Sequence, residues 1–193
     1  MVEKIVVDTL VNFGIDVICL GLSTTPTVEI AVTEENADAG IIITASHNPK
    51  NWNALKLLNE KGEFINAIEG KELIKVSESK KFIKVQEKKG DVFFKNDYIS
   101  RHINKILDLN CIEVDLIKKK RFKIVVDAVN STGGIAIPML LDKLNVECIK
   151  IYCDPNGEFP HNPEPLPENI TELSKSVVKN NADLGIVTDP DVD

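Results

Sequence analysis

The run Gly40-Ile41-Ile42-Ile43-Thr44-Ala45 is continuously apolar and ends abruptly on polar residues beginning with Ser46. This feature constrains the fold most. A run so short and so rich in isoleucine reads as a strand buried on both faces, and such strands belong to sheets covered by helices on either side. In open α/β sheets, ligands bind outside the carboxyl ends of the strands. Ser46 stands at such an end.

The surrounding pattern alternates helix and strand. A helix is expected over about 2–13, closed by Gly14 as a C-cap, and a short strand over 16–20. Thr25-Pro26-Thr27 opens the next helix, with proline where a first turn tolerates it, and that helix runs to about 36. A strand over 54–59, a turn over 60–63 and a helix over 67–79 follow. From 80 to 95 the periodicity is poor and lysine is common, which reads as a surface connection. A helix over 97–108 presents Ile99, Ile103, Ile106 and Leu107, and His102 on it reads as a surface residue. Polarity rises over 110–121, where a domain boundary is expected. A second βαβ pattern then begins: strand 122–127, turn 130–134, helix 135–144, strand 147–152, a Pro/Gly-rich stretch at 154–167, helix 168–180 and strand 184–187. The two blocks read as two α/β units of one design, mainly parallel within each sheet.

Composition narrows the class. With 23 basic and 30 acidic side chains, the net charge is −7. This argues against a nucleic-acid binder, which needs a basic balance or patch. The run Lys118-Lys119-Lys120-Arg121 reads as a solvated helix end. Cys19, Cys111, Cys148 and Cys153 lack CxxC spacing; free thiols and no visible signal peptide suggest a reduced, cytoplasmic setting. No stretch approaches the ~18 apolar residues of a membrane span.

Several residues are candidates for chemistry. A serine hydroxyl is a weak nucleophile unless a neighbour takes its proton or its oxygen begins phosphorylated; the alternative for Ser46 is a turn serine that satisfies backbone N–H groups. His47 gains weight from its adjacency. An isolated histidine is usually a hydrogen-bonded structural residue; for His161, in the proline-stiffened loop Glu158-Phe159-Pro160-His161-Asn162-Pro163, a rigid binding role is the alternative. Asp189, Asp191 and Asp193 follow a strand at alternate positions. Three converging carboxylates repel unless a cation lies among them, and Mg²⁺ takes oxygen ligands. Lys56 interrupts an apolar strand ten residues beyond Ser46; it is a snorkelling surface lysine or a desolvated acid–base group.

The string Thr44-Ala45-Ser46-His47-Asn48-Pro49 resembles the phosphoserine loop of the α-D-phosphohexomutases. Asp189-Pro190-Asp191-Val192-Asp193 resembles their metal loop, usually Asp-Gly-Asp-x-Asp-Arg. Asn53-Ala54-Leu55-Lys56 resembles their Asn-Gly-x-Lys segment. The resemblance implies two consecutive mixed-sheet α/β domains, domain I over 1–110 without its opening strand and domain II over 121–193 cut at the metal loop. It also implies 1- and 6-phosphate interconversion on a hexose phosphate, through phosphorylated Ser46 and a bisphosphate intermediate. Catalytic roles fall on Ser46, His47 and Lys56, and Mg²⁺ ligation on Ser46, Asp189, Asp191 and Asp193. The chain alone is expected to be inactive.

Pro190 departs from the usual glycine, so the loop must accept a φ near about −65° and one lost donor. Ala54 replaces a glycine more mildly. Two other readings compete. One is a haloacid-dehalogenase-type phosphatase, whose nucleophile loop also pairs a strand with Asp-x-Asp. The other is a non-catalytic scaffold or binding protein.

Overall fold

The computed structural model describes residues 1–46, 48, 52–80 and 87–192. Contacts divide the chain into two compact units. One comprises Met1–Gly21, Val28–Ile43 and Ala54–Asn96, and the other comprises Leu22–Thr27, Thr44–Asn53 and Asp97–Asp193.

In the first unit, α1 (Val2–Asn12) gives way to Gly14 at φ 79°, the left-handed conformation that glycine adopts without strain. β1 (Val17–Cys19) runs parallel to a strand at Val92–Phe94, with Val17 opposite Val92 and Cys19 opposite Phe94. That strand lies in the stretch expected to be a surface connection. Only three residues long and with all its side chains exposed, it carries little hydrophobic pattern; its backbone pairs nonetheless. α2 (Thr25–Glu34), whose first turn belongs to the other unit, leads to β2 (Gly40–Thr44), the apolar strand, whose last residue also belongs to it; β2 pairs with β3 (Ala54–Leu58). Val32, Ile42 and Leu58 form the core here, with Val28 and Ala37 packed on it. α3 (Ala67–Ser79) starts with a capping box. The Asn66 side chain accepts from Ile68 and Glu69, and Glu69 accepts the Asn66 N–H at 2.7 Å. The strand at Val92–Phe94 is β4.

The second unit is more regular. α4 (Tyr98–Leu107) buries Tyr98, Ile99 and Ile103. α5 (Val114–Lys120) occupies the polar stretch expected to be a boundary. Two side chains, Val114 and Ile117, anchor it to the core, a thin apolar face for a helix of which the sequence shows mainly the lysine-rich end. Its last turn, Lys118 to Lys120, is solvent-exposed and closed by Arg121 at φ 51°. β5 (Lys123–Asp127) is followed by α6 (Gly133–Lys143), β6 (Glu147–Ile151), α7 (Thr171–Lys179) and β7 (Leu184–Val187). The strands form a parallel sheet in the order β6-β5-β7. Parallel pairing puts all three carboxyl ends on one side.

β5 is the centre of this sheet, and its Val125 and Val126 are completely buried. Val126, Ile124, Leu141, Leu144 and Val146 form one core with flanking apolar residues from α5 and β7. Among the described residues, no helix is long and apolar enough to cross a membrane.

Leu141→Ala is expected to lower unfolding free energy by about 2–5 kcal/mol, since it removes core volume. Val178→Ala, at a side chain 78% exposed, is expected to cost less than about 0.5 kcal/mol. Urea titration at constant slope measures both.

Candidate functional site

β7 delivers the acidic loop, and its register with β5 fixes where the loop begins. Thr188 donates its N–H to the Asp127 carbonyl at 3.0 Å, extending the ladder one residue past the end of β7. Beyond it, Asp189 folds the loop on itself, its carboxylate accepting the Val192 N–H at 2.9 Å. Three carbonyls then point outward to donors from elsewhere in the unit. Ser131 donates its hydroxyl to Asp189 O at 3.4 Å, and Thr132 its hydroxyl to Pro190 O at 3.3 Å. Thr25 donates its N–H to Asp191 O at 2.9 Å. Pro190 fits because the left-handed residue of the loop is Val192, at φ 58°, not position 190. A β-branched residue is strained there.

Gly133 lets α6 begin beside this loop. A Cβ at that position would lie 2.2 Å from the Thr188 hydroxyl. The same helix start supplies Ser131 and Thr132. These anchors were not visible in the sequence, where they look like an ordinary polar turn.

Ser46 sits in the same compact unit as the acidic loop, half-buried and at φ 48°. Its N–H donates to the Thr44 hydroxyl at 2.9 Å, and the Asn48 side chain donates to the Ala45 carbonyl at 3.1 Å. The loop therefore turns sharply as it leaves β2. Lys56 lies in the other unit, half-buried on β3, with its Nζ 5.6 Å from the Phe64 ring centroid. His47 and Asp193 lie outside the described residues.

His102 is not the surface residue expected. It is partly buried, and its Nδ1 is hydrogen-bonded to the Thr27 hydroxyl at 3.0 Å. Burial pushes its pKa below the usual histidine value. The signal was present at helical spacing: positions 98, 99, 102 and 103 share the buried face of α4. His161 also finds a partner. Its Nε2 is 3.0 Å from the Asp127 carboxylate and its Nδ1 2.8 Å from the Asn162 carbonyl. Asp127 is completely buried and accepts the Val129 N–H as well. An isolated buried carboxylate is costly, so this pairing explains His161 without a ligand. The Cys153 thiol, donating to the Val126 and Ile151 carbonyls, is pushed up to about 11, chiefly by burial, and is inert as a nucleophile near neutral pH.

The residues around the acidic loop suit a hard cation. Asp191 is buried, with an exposure of 4%. The hydroxyls of Thr25 and Thr188 are buried beside the loop and make no hydrogen bond among the described residues. Buried unsatisfied hydroxyls call for a further partner, such as an ion or its bound water. The donor set is all oxygen, as Mg²⁺ prefers. No group of three or more His, Cys, Asp or Glu is gathered among the described residues, and the third aspartate of the sequence lies beyond them.

The unit that holds the parallel sheet groups the serine loop with the acidic loop, and the chain as a whole is an α/β protein of alternating helices and strands. Residues 1–84 and 98–193 match the models for phosphoglucomutase/phosphomannomutase alpha/beta/alpha domains I and II, respectively. The chain belongs to the phosphoglucomutase/phosphomannomutase family. It is 34% identical to a phosphoglucomutase/phosphomannomutase of Thermococcus kodakarensis, over 100% of this chain and 42% of that protein. It is 32% identical to a probable phosphoglucosamine mutase of Methanopyrus kandleri, over 97% of this chain and 41% of that one. The chain thus spans less than half the length of these relatives. A phosphoglucomutase/phosphomannomutase family protein of Burkholderia thailandensis shares the fold, with a TM-score of 0.74 at 23% identity, over 98% of this chain and 41% of that one.

The depressed pKa of His102 sets a pH dependence. The unfolded chain takes up the His102 proton near pH ~6.5, before the folded chain does. The contribution of His102 to stability is therefore intact above about pH 6.5 and falls as pH drops below it. Urea midpoints between pH 7.5 and 5.5 should show a shallower decline in His102→Asn than in the native chain.

Proposed function

We propose that this chain carries the phosphoryl-transfer and metal loops of a phosphohexomutase that interconverts hexose 1- and 6-phosphates. The observation that carries this reading is the grouping of the Ser46 loop with the Asp189–Asp191 loop in one compact unit. Family membership supports it, and so do relatives named phosphoglucomutase/phosphomannomutase and phosphoglucosamine mutase. Those names favour glucose, mannose or glucosamine phosphates as the substrate class.

In this reading Ser46 starts phosphorylated. The oxygen of a free hexose hydroxyl forms a bond to phosphorus as the bond between phosphorus and the Ser46 oxygen breaks. The hydroxyl proton passes to a base, and the product is a hexose bisphosphate. The other phosphoryl group then returns to Ser46 by the same exchange in reverse, leaving the isomeric monophosphate. Such transfers depend on in-line positioning and charge neutralisation. Ser46 stands on a turn that follows β2, at φ 48°. Asp189, Asp191 and Asp193, with an oxygen on Ser46, are the residues that would hold Mg²⁺. Bound there, the ion would neutralise charge on the transferring group. We assign proton handling to Lys56 and His47. For Lys56 the support is its resemblance to the family's lysine segment, ten residues on from Ser46 in the sequence. The described cysteines are free thiols, which supports a reducing, cytoplasmic setting.

Protein purified from its own cells is expected to carry phosphate on Ser46, located by peptide mass spectrometry. In a full-length mutase that contains this sequence, Ser46→Ala is expected to lose mutase activity on these hexose phosphates by on the order of 10³-fold or more. Full activity in that variant would overturn the reading. Asp191→Asn should sharply weaken Mg²⁺ binding, measured by calorimetry.

A further inference from the structure

Of the three carbonyls anchored in the acidic loop, that of Asp191 has the shortest bond, 2.9 Å from the Thr25 N–H against 3.3 and 3.4 Å for the hydroxyl contacts. The Thr25 amide belongs to the first turn of α2, where backbone N–H groups have no intrahelical acceptor. The position of Asp191 therefore depends on where this turn sits. Buried hydroxyls fix the turn. Thr24 accepts the Thr27 N–H on its hydroxyl at 3.3 Å, as a helix N-cap does. Its hydroxyl also meets that of Thr27 at 2.8 Å. Thr24, Thr25 and Thr27 are all at most 2% exposed. The hydroxyl of Thr27 continues to His102 Nδ1 at 3.0 Å, bridging 75 positions of sequence.

We propose that His102 is a positioning residue for the acidic loop. It holds the Thr27 hydroxyl, which sets the Thr24–Thr27 turn and so aims the Thr25 N–H at the carbonyl of Asp191. His102 touches no reacting atom in this arrangement. Its effect reaches the aspartate through one side chain and one backbone bond. Tyr98, Ile99 and Ile103 bury the same face of α4 and fix the ring's place in the unit. The depressed pKa of the ring supports the neutral form near pH 7. A neutral imidazole can meet the Thr27 hydroxyl as donor or acceptor. Partners bonded directly to a metal ligand commonly change metal affinity by about 10–100-fold when removed, and His102 and Thr27, which act through the Thr25 N–H, belong at the low end of that range.

The role in metal affinity rests on the reading of the acidic loop as a Mg²⁺ site; the positional claim does not. Two measurements on the intact 193-residue chain separate them. Hydrogen exchange of the Thr25 amide reports its bond to Asp191 with no metal present. Calorimetry with Mg²⁺ alone reports affinity. His102→Leu and Thr27→Val should speed Thr25 exchange about 10-fold relative to the amides of β5, and weaken Mg²⁺ binding by about 10-fold. His102→Asn and Thr27→Ser, which keep a polar atom at each place, should stay near the native values. Leu141→Ala serves as a control for general destabilisation; it should change exchange throughout the unit without a selective effect at Thr25. Unchanged Thr25 exchange in His102→Leu and Thr27→Val would overturn the proposal. So would acceleration equal to that of β5, or failure of the two polar variants to restore protection. Absence of Mg²⁺ binding by the native chain would instead sink the metal reading, with the exchange results still deciding the role of His102.

Discussion

Carboxylates placed at alternate positions after a strand repel one another, and their backbone must be held against that repulsion. In this chain the restraint comes from hydrogen bonds to the loop's carbonyls. Ser131 and Thr132 reach it from the start of α6, and Thr25 reaches it from the start of α2. Each lies far from the aspartates in sequence. The acidic loop therefore has a defined shape only when the second unit is folded. The buried hydroxyls of Thr25 and Thr188 add polar atoms at the same place.

The parallel sheet makes this convergence geometrically simple. β5 is enclosed between β6 and β7, so Val125 and Val126 are removed from solvent and the strand cannot slip without exposing them. Its end then fixes Asp127, Val129 and Asn130. Val129 and Asn130 both have positive φ, at 43° and 55°. Strain at a buried valine persists only where surrounding contacts over-determine the backbone. Those contacts are visible. The Val129 N–H is held by Asp127, while the Asn130 N–H is held by the Tyr152 carbonyl and its side chain donates to the Glu158 carbonyl. His161 completes the arrangement by pairing with Asp127.

The elements with strong periodic patterns were legible from residue order. β2 announced itself through three consecutive isoleucines, and the second block through its alternation of apolar strands and amphipathic helices. The failures have physical causes. β4 is too short and too exposed to carry a period-two pattern, yet its backbone pairs with β1. α5 shows in the sequence only through its lysine-rich end, because two core anchors in a polar setting make a thin helical face. His102 departs from the rule that puts a polar helix residue in solvent, because its neighbours at helical spacing face the core.

For the candidate site, the sequence determined which residue types stand after which strands, and in what order. Ser46 ends an apolar strand, and the aspartates follow another; both facts are local, set by side-chain type and by the spacing of residues along a strand. What only tertiary structure decided is which distant groups support them. Nothing in the order of residues brings Thr25 to Asp191, Thr132 to Pro190 or His102 to Thr27. These bonds join segments separated by tens of residues, and hydrogen bonding depends on distance and angle in space rather than on position along the chain. The serine and acidic loops likewise share one compact unit because the folded contacts group them, across a separation of more than a hundred residues.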